Sequence, residues 1–179
     1  KKIVHVVGTG TIGEPLIGLL CDFKEQLGID HVTFHKNTPL TTDRSKVISL
    51  TKRGARLSTH SDKFDGFKAI GLKPEYTTEE AIERASVVID CTPSGFGHDN
   101  KVKYYDKFSN NTLGFVAQGS EFGFGKPYAR GINDQTLIKG EDQFIQVVSC
   151  NTHNLSTLVD TIALSEGEDN LMDGRFLLI

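Results

Sequence analysis

A glycine turn between a short apolar run and an amphipathic pattern constrains the fold of this chain more than any other feature. The run Ile3–Val7 ends at Gly8, and apolar residues at helical spacing follow Gly13. The turn itself reads Gly-Thr-Gly-Thr-Ile-Gly, which is the GxGxxG spacing. With a strand before it and a helix after it, this spacing is typical of a βαβ unit that binds a dinucleotide. The alternative interpretation is an ordinary glycine turn.

The three glycines have separate roles in such a unit. Gly8 permits the tight turn, Gly10 lets a pyrophosphate approach the backbone, and Gly13 lets helix and strand pack closely. We therefore predict coenzyme contacts from Gly8, Gly10, Thr11, Ile12 and Gly13.

The end of the second predicted strand bears on which coenzyme is bound. An NAD-specific site is expected to carry an acidic residue about 20 residues after the glycines, where it bonds the ribose hydroxyls. Residues 33–35 are Thr, Phe and His instead, and Lys36 and Asn37 follow. No carboxylate is visible there to repel a 2′-phosphate, and Lys36 supplies positive charge. We predict NADP, with NAD as the weaker alternative; the other interpretation of Lys36 is a solvated loop lysine.

Strand and helix patterns alternate through residue 117. Further strands are expected at residues 86–90 and 113–117, and helices at residues 44–53 and 101–108, the last with Val102 and Tyr105 inward. Residues 58–66 read as a polar connection, residues 122–134 as a long loop, and Thr78 as a helix cap. This alternation predicts an α/β fold, a doubly wound (Rossmann-like), mostly parallel sheet that binds ligands outside its strand ends.

The candidate nucleophile is Cys150, in the segment Ser149-Cys150-Asn151-Thr152-His153. An apolar run stops before this segment and a helical pattern begins beyond it, so Cys150 is predicted at a helix entrance. There the unpaired N–H groups and the positive end of the dipole stabilise a thiolate. His153 lies on the same side of the first turn. The alternative is a small buried thiol that only packs.

Composition excludes several classes of function. The 179 residues carry a net charge of −3, which gives no electrostatic footprint for nucleic acid or an anionic membrane. Three cysteines without a CxxC pair indicate a reducing compartment, and the six histidines form no HExxH pattern. No apolar run reaches membrane-spanning length. We expect a cytoplasmic protein with no metal site.

These motifs, in this order, resemble archaeal-type (type II) glyceraldehyde-3-phosphate dehydrogenases. The likeness covers nearly the whole chain, and its most specific part is Ser-Cys-Asn-Thr at residues 149–152. Ser120 and His153 depart from the family's pattern. The resemblance implies that Cys150 is the nucleophile and that Asn151 lies beside it. On the nicotinamide side of the coenzyme cleft it places Thr92, Pro93, Gln118 and Gly119.

The resemblance also implies an activity and a division of the chain. The implied reaction is phosphorylating oxidation of glyceraldehyde 3-phosphate to 1,3-bisphosphoglycerate with NAD(P), by a homo-oligomer whose other small-molecule partner is inorganic phosphate. Residues 1–149 would be the NAD(P)-binding domain, and residues 150–179 the nucleophile helix and the start of a catalytic domain, with residues 174–179 as its first strand. The general base of the family lies beyond residue 179, so these residues alone are expected to bind coenzyme without turning over aldehyde.

Two other interpretations stay open from the sequence. One is a related cysteine-dependent semialdehyde or acyl-phosphate reductase, because the nucleotide domain and the position of the nucleophile are shared. The other is a non-catalytic NAD(P)-binding module.

Overall fold

The computed structural model describes residues 1–119, 121–165, 167, 169 and 171–177. Over these described residues the chain forms one eight-stranded sheet. The strands are β1 (Ile3–Val7), β2 (His31–His35), β3 (Arg56–Thr59), β4 (Tyr76–Thr77), β5 (Val87–Asp90), β6 (Gly114–Gly119), β7 (Lys126–Tyr128) and β8 (Phe144–Val148).

Helices follow most strands and cover the sheet. The α-helices are α1 (Gly13–Asp22), α2 (Arg44–Lys52), α3 (Phe64–Ala69), α4 (Thr78–Glu83), α5 (Phe96–Asn100), α6 (Asp106–Phe108) and α7 (Cys150–Leu158). Short 3-10 turns are found at Thr41–Asp43, Ser61–Lys63 and Asp134–Thr136, and π-helical turns at Lys101–Tyr105 and Val159–Leu164. Among the described residues, no helix is both long and apolar enough to cross a membrane.

The strand order confirms the predicted doubly wound fold. The sheet runs β4-β3-β2-β1-β5-β6-β8-β7, and the pairings between described strands are parallel. The chain therefore winds one way from β1 to β4 and the other way from β5 onward. The reversal between β1 and β5 is a topological switch point, where such sheets bind ligands at the carboxyl ends of their strands.

Alternate residues of the central strands pack into two cores. Val4 and Val6 of β1 lie in the core under α1 and α2, with Ile17 and Leu50, whereas Val7 lies in the opposite core with residues of α4 and β6. Because side chains alternate across a strand, the whole of β1 is buried and its sequence is almost continuously apolar. Because β1 is buried on both faces, the position of its carboxyl end, where the glycine turn begins, is fixed.

Residues 58–66 do not form the polar connection that the sequence suggested. Arg56–Thr59 is strand β3, and α3 begins at Phe64. Ser58 is fully buried and donates its hydroxyl to the carbonyl oxygen of Phe34, 3.2 Å away. A strand with polar side chains at its buried positions lacks the apolar run by which buried strands are predicted.

The cap of α4 is Thr77, not Thr78. Thr77 Oγ1 accepts a hydrogen bond from the Glu80 backbone at 3.2 Å, and the Glu80 carboxylate accepts one from the Thr77 backbone at 2.8 Å. This reciprocal pair is a capping box. Thr78 is buried instead, with its hydroxyl 3.0 Å from Nδ1 of His60.

The helix predicted at residues 101–108 begins earlier, at Phe96. It changes from α-helical to π-helical geometry at Lys101 and back to α-helical geometry at Asp106. The prediction is right for Tyr105, which is 1% exposed, and wrong for Val102, which is 73% exposed. The π-helical turn at Lys101–Tyr105 widens the helix and rotates the buried face, so Tyr104 takes the inward position.

Two predictions near the end of the chain also need correction. The long loop at residues 122–134 includes strand β7, which pairs with β8. The strand expected at residues 174–179 is not formed at 174–177, and residues 178 and 179 lie outside the described part. A strand needs a neighbour for its backbone N–H and C=O groups, and no described strand pairs with residues 174–177.

Candidate functional site

A cleft of about 510 Å³ opens along the carboxyl ends of the central strands. It is lined by Val7, Gly8, Thr9, Gly10, Thr11, Ile12, His35, Lys36, Asn37, Thr38, Cys91, Thr92, Pro93 and Gln118. These residues follow β1, β2, β5 and β6, so the cleft crosses the switch point of the sheet. Of the predicted coenzyme contacts, Gly13 and Gly119 do not line the cleft, and the others do.

The glycine turn has the geometry that a close ligand requires. Gly8 has φ +97°, and a Cβ atom on Gly13 would lie 2.0 Å from the carbonyl oxygen of Gly8. Gly13 therefore holds α1 against the turn, which explains why it does not face the cleft. A Cβ on Gly10 would meet no atom within 4 Å and would project into open space. The turn is thus open at Gly10, above the start of α1, where unpaired N–H groups and the helix dipole favour a phosphate.

A carboxylate that the sequence window did not include approaches Lys36. Lys36 Nζ lies 2.5 Å from Oδ2 of Asp43, the residue just before α2. Two further charged groups lie nearby: Lys46 Nζ is 3.1 Å from Glu14 Oε2 and 3.5 Å from the carbonyl oxygen of Thr9. The expectation that no carboxylate stands near this end of the cleft is therefore wrong, because Asp43 reaches back across the loop from the next helix.

A buried carboxylate holds the loop that carries Thr92 and Pro93. Asp90 is 1% exposed, and its Oδ1 accepts hydrogen bonds from the Thr92 backbone at 2.9 Å and from the Thr92 hydroxyl. Its Oδ2 accepts from Asn100 at 2.9 Å and from the Tyr105 hydroxyl at 2.5 Å. Burial and the neighbouring Asp90 charge raise the pKa of Tyr105 well above its usual value, so this hydroxyl remains a donor. Four donors thus fix the Thr92 side of the cleft.

A second buried carboxylate joins the loops after β5 and β6. Glu121 is 1% exposed and accepts from the backbone N–H of Gly95 at 2.6 Å and of His98 at 3.2 Å. These amides belong to the start of α5, where they have no helical partner. Glu121 therefore ties the chain beyond Gln118 and Gly119 to the chain beyond Pro93.

Cys150 is exposed and is the first residue of α7, as the sequence predicted. Ser149 caps this helix, and its Oγ accepts from the Thr152 backbone at 3.2 Å. The first helical bond runs from His153 N–H to the Ser149 carbonyl oxygen at 2.9 Å. The N–H groups of Cys150 and Asn151 precede that bond, so they have no partner within the helix.

Cys150 lies outside the cleft lining but at the same edge of the sheet. In the register of β6 and β8, Gln118 is opposite Val147 and Gly119 is opposite Val148, two residues before Cys150. The strands β2, β1, β5, β6 and β8 are consecutive, so four spacings of about 4.8 Å place roughly 19 Å between the Lys36 and Cys150 ends. The site is therefore long and suits an extended ligand.

The side chain of His153 is engaged with the loop after β7. Its Nε2 lies 3.0 Å from the carbonyl oxygen of Arg130. A carbonyl oxygen can only accept, so Nε2 carries the proton in this contact.

The other two cysteines, Cys21 and Cys91, are buried. Burial raises the pKa of Cys91 to about 12, and it also raises the pKa of Cys21. Neither thiol is a competing nucleophile at neutral pH, because the thiolate is the reactive form.

Several residues of the site were missed by the sequence analysis. The missed residues that line the cleft could have been found as neighbours of predicted contacts at the strand ends, and they are Val7, Thr9, His35 and Cys91. Asp43 and Glu121 act through side-chain contacts with distant segments, and no local pattern marks either of them.

Comparisons with known proteins agree with the geometry. No family model matches the chain. An archaeal protein named glyceraldehyde-3-phosphate dehydrogenase, from Pyrobaculum islandicum, is 29% identical over 164 residues, which cover 90% of this chain and 44% of that protein. The proteins of that name from Archaeoglobus fulgidus and Methanobacterium bryantii are each 30% identical, over 89% and 67% of this chain and 44% and 38% of their own lengths.

The chain thus spans less than half the length of the curated relatives it matches. The resemblance seen in the motifs is confirmed: over nine-tenths of its length, this chain is a homologue of archaeal-type glyceraldehyde-3-phosphate dehydrogenases.

Proposed function

We propose that this chain is the coenzyme-binding and nucleophile-bearing part of a phosphorylating glyceraldehyde-3-phosphate dehydrogenase. The observation that carries the proposal is the placement of an open glycine turn and an exposed helix-start cysteine at one edge of one sheet. The substrates are glyceraldehyde 3-phosphate and inorganic phosphate, and the product is 1,3-bisphosphoglycerate. Residues 1–149 form the coenzyme domain, and residues 150–179 begin the part that acts on substrate.

The cleft fits a nicotinamide dinucleotide. The space in front of Gly10 and the start of α1 receive the pyrophosphate, and Lys36 and Asn37 receive the adenosine ribose. Thr92, Pro93 and Gln118 form the nicotinamide end, with Gly119 directly after Gln118, and Asp90 and Glu121 hold these loops in place. NADP is the proposed coenzyme because Lys36 offers a cation for the 2′-phosphate.

Cys150 performs the covalent chemistry. Its thiolate attacks the aldehyde carbon, forming a C–S bond, and the carbonyl oxygen becomes an oxyanion near the free N–H groups of Cys150 and Asn151. A bound nicotinamide coenzyme supplies the acceptor for the hydride lost when the adduct is oxidised to a thioester. Inorganic phosphate then attacks the thioester carbon, the C–S bond breaks, and the thiolate is regenerated with release of the acyl phosphate.

The cysteine role can be tested from the product side of the reaction. The chain is incubated with 1,3-bisphosphoglycerate and analysed by intact-mass and peptide mass spectrometry. We expect a 3-phosphoglyceryl thioester on Cys150, removed by hydroxylamine, and none on the Cys150→Ala variant. Acylation of another residue, or no acylation while coenzyme still binds, would contradict the catalytic role and favour a non-catalytic coenzyme-binding module.

A further inference from the structure

The adenosine end of the cleft contains an alternating row of charges. Lys36 contacts Asp43 at 2.5 Å, and Lys46 contacts Glu14 at 3.1 Å. The Lys36 and Asp43 side chains are only 16% and 24% exposed, so water screens this pair less than an open surface pair. Each lysine that approaches the cleft is therefore matched by a carboxylate.

The orientation of Asp43 is set by Lys36 rather than by its own helix. Asp43 occupies the cap position of α2, where an aspartate side chain commonly accepts from the second or third N–H of the helix. Here it makes no such bond. The hydrogen bond from Lys36 lowers the pKa of Asp43, against the opposing effect of desolvation. The carboxylate is therefore ionised at neutral pH and directed at the cation that faces the cleft.

We propose that Asp43 weakens the preference of the cleft for NADP over NAD, because its carboxylate occupies Lys36 and repels a 2′-phosphate. The proposal rests on the proposed function, because it assigns a role toward the same coenzyme. An ammonium group has three N–H donors, so Lys36 can contact a phosphate without leaving Asp43. The nearby negative charge weakens that contact, whereas the uncharged 2′-hydroxyl of NAD is not repelled.

The test compares coenzyme affinities of matched charge variants by calorimetric titration with NADP and NAD. Asp43→Asn removes the carboxylate charge and keeps the size of the side chain. We expect this variant to bind NADP roughly tenfold more tightly, because the carboxylate no longer competes with the 2′-phosphate for Lys36. The affinity for NAD should change less than about threefold.

Glu14→Gln is the control, because it removes the same charge from the neighbouring ion pair. Lys46 and Glu14 lie beside Thr9 in the turn assigned to the pyrophosphate, which both coenzymes carry. Both affinities should shift together, so the ratio of the NADP and NAD affinities stays constant. In a Lys36→Ala background, Asp43→Asn should still raise the affinity for NADP relative to NAD, because the repulsion between the carboxylate and the 2′-phosphate does not require the lysine.

The outcomes separate this inference from the proposed function. If the wild type binds both coenzymes but Asp43→Asn leaves the affinity ratio unchanged, or Glu14→Gln changes it equally, the role of Asp43 is refuted and the proposed function stands. If the wild type binds neither coenzyme, both fail. Should Asp43→Asn not fold, Asp43→Ser gives the same comparison, because serine is a favoured cap for α2 and also lacks the charge.

Discussion

Acidification should destabilise this protein through two buried histidines. His5 lies in β1 with no exposed surface, and its Nδ1 is 2.8 Å from Oγ1 of Thr33. His35, at the end of β2, is 8% exposed, and the centre of its ring lies 5.0 Å from that of His60. Desolvation, with the repulsion of His35, lowers the pKa of His5 to about 3. Desolvation, with the repulsion of His60 and Lys36, lowers the pKa of His35 to about 4.

The sign and size of the effect follow from these pKa values. In the unfolded chain a histidine protonates near pH 6.5, so below that pH the unfolded state binds more protons than the folded state. The stabilisation is complete above pH 6.5 and is lost as the pH falls toward the folded-state values of about 4 and about 3. Between pH 7 and pH 5 each histidine should lower the free energy of unfolding by about 2 kcal/mol, and the two together by about 4 kcal/mol.

Urea unfolding at pH 7, 6 and 5, followed by circular dichroism, measures this loss directly. His5→Asn and His35→Asn keep an amide near the position of Nδ1 but do not titrate, so each should remove about 2 kcal/mol of the loss. The double variant, with both histidines replaced by asparagine, should remove about 4 kcal/mol of the loss, which is the sum of the two single effects. A wild-type free energy of unfolding that does not change between pH 7 and pH 5 would refute this prediction. The same pH dependence of that free energy in all three variants would refute it as well.

Two further perturbations test the contacts around the cleft. Tyr105→Phe deletes a buried donor to a carboxylate and should lower the free energy of unfolding by about 1 to 3 kcal/mol in urea titrations. Tyr128→Phe removes an exposed hydrogen bond to Asp134 and should lower the stability much less than Tyr105→Phe does. Equal losses in the two variants would argue against the buried network. In timed alkylation with iodoacetamide at pH 7, followed by peptide mass spectrometry, exposed Cys150 should be labelled before buried Cys21 and Cys91; preferential labelling of Cys91 would move the nucleophile assignment.

The parts of the fold that local patterns determine were predictable from the sequence. Strands β1, β5 and β8 are largely apolar in sequence, and the turns that follow them contain the glycine, proline and cysteine signals by which the site was found. Strand β3 was missed because Ser58 and Thr59 are polar, although both are fully buried. Its position becomes clear only when β2 supplies the partner for its backbone and for the Ser58 hydroxyl.

The charges of the site were less predictable than its backbone. Lys36 was identified from its place after a strand, but its partner Asp43 is brought back by the 3-10 turn that begins α2. Asp90 appears in sequence as the last residue of a buried strand, and its four donors come from three separate positions beyond it. Contacts of this kind depend on how loops and helices close on one another, which no periodicity within a single segment encodes.

Coenzyme binding to two glycine variants tests the central claim most directly. Gly10→Ala adds a methyl group only to the open space of the cleft, whereas Gly13→Ala places one 2.0 Å from the Gly8 carbonyl oxygen. In calorimetric titrations the wild type should bind NADP, and Gly10→Ala should bind both coenzymes at least about tenfold more weakly with its unfolding free energy changed by less than about 0.5 kcal/mol. Gly13→Ala should instead lower the stability by about 1 to 3 kcal/mol. A Gly10→Ala variant that binds NADP as tightly as the wild type would contradict the assignment of the cleft.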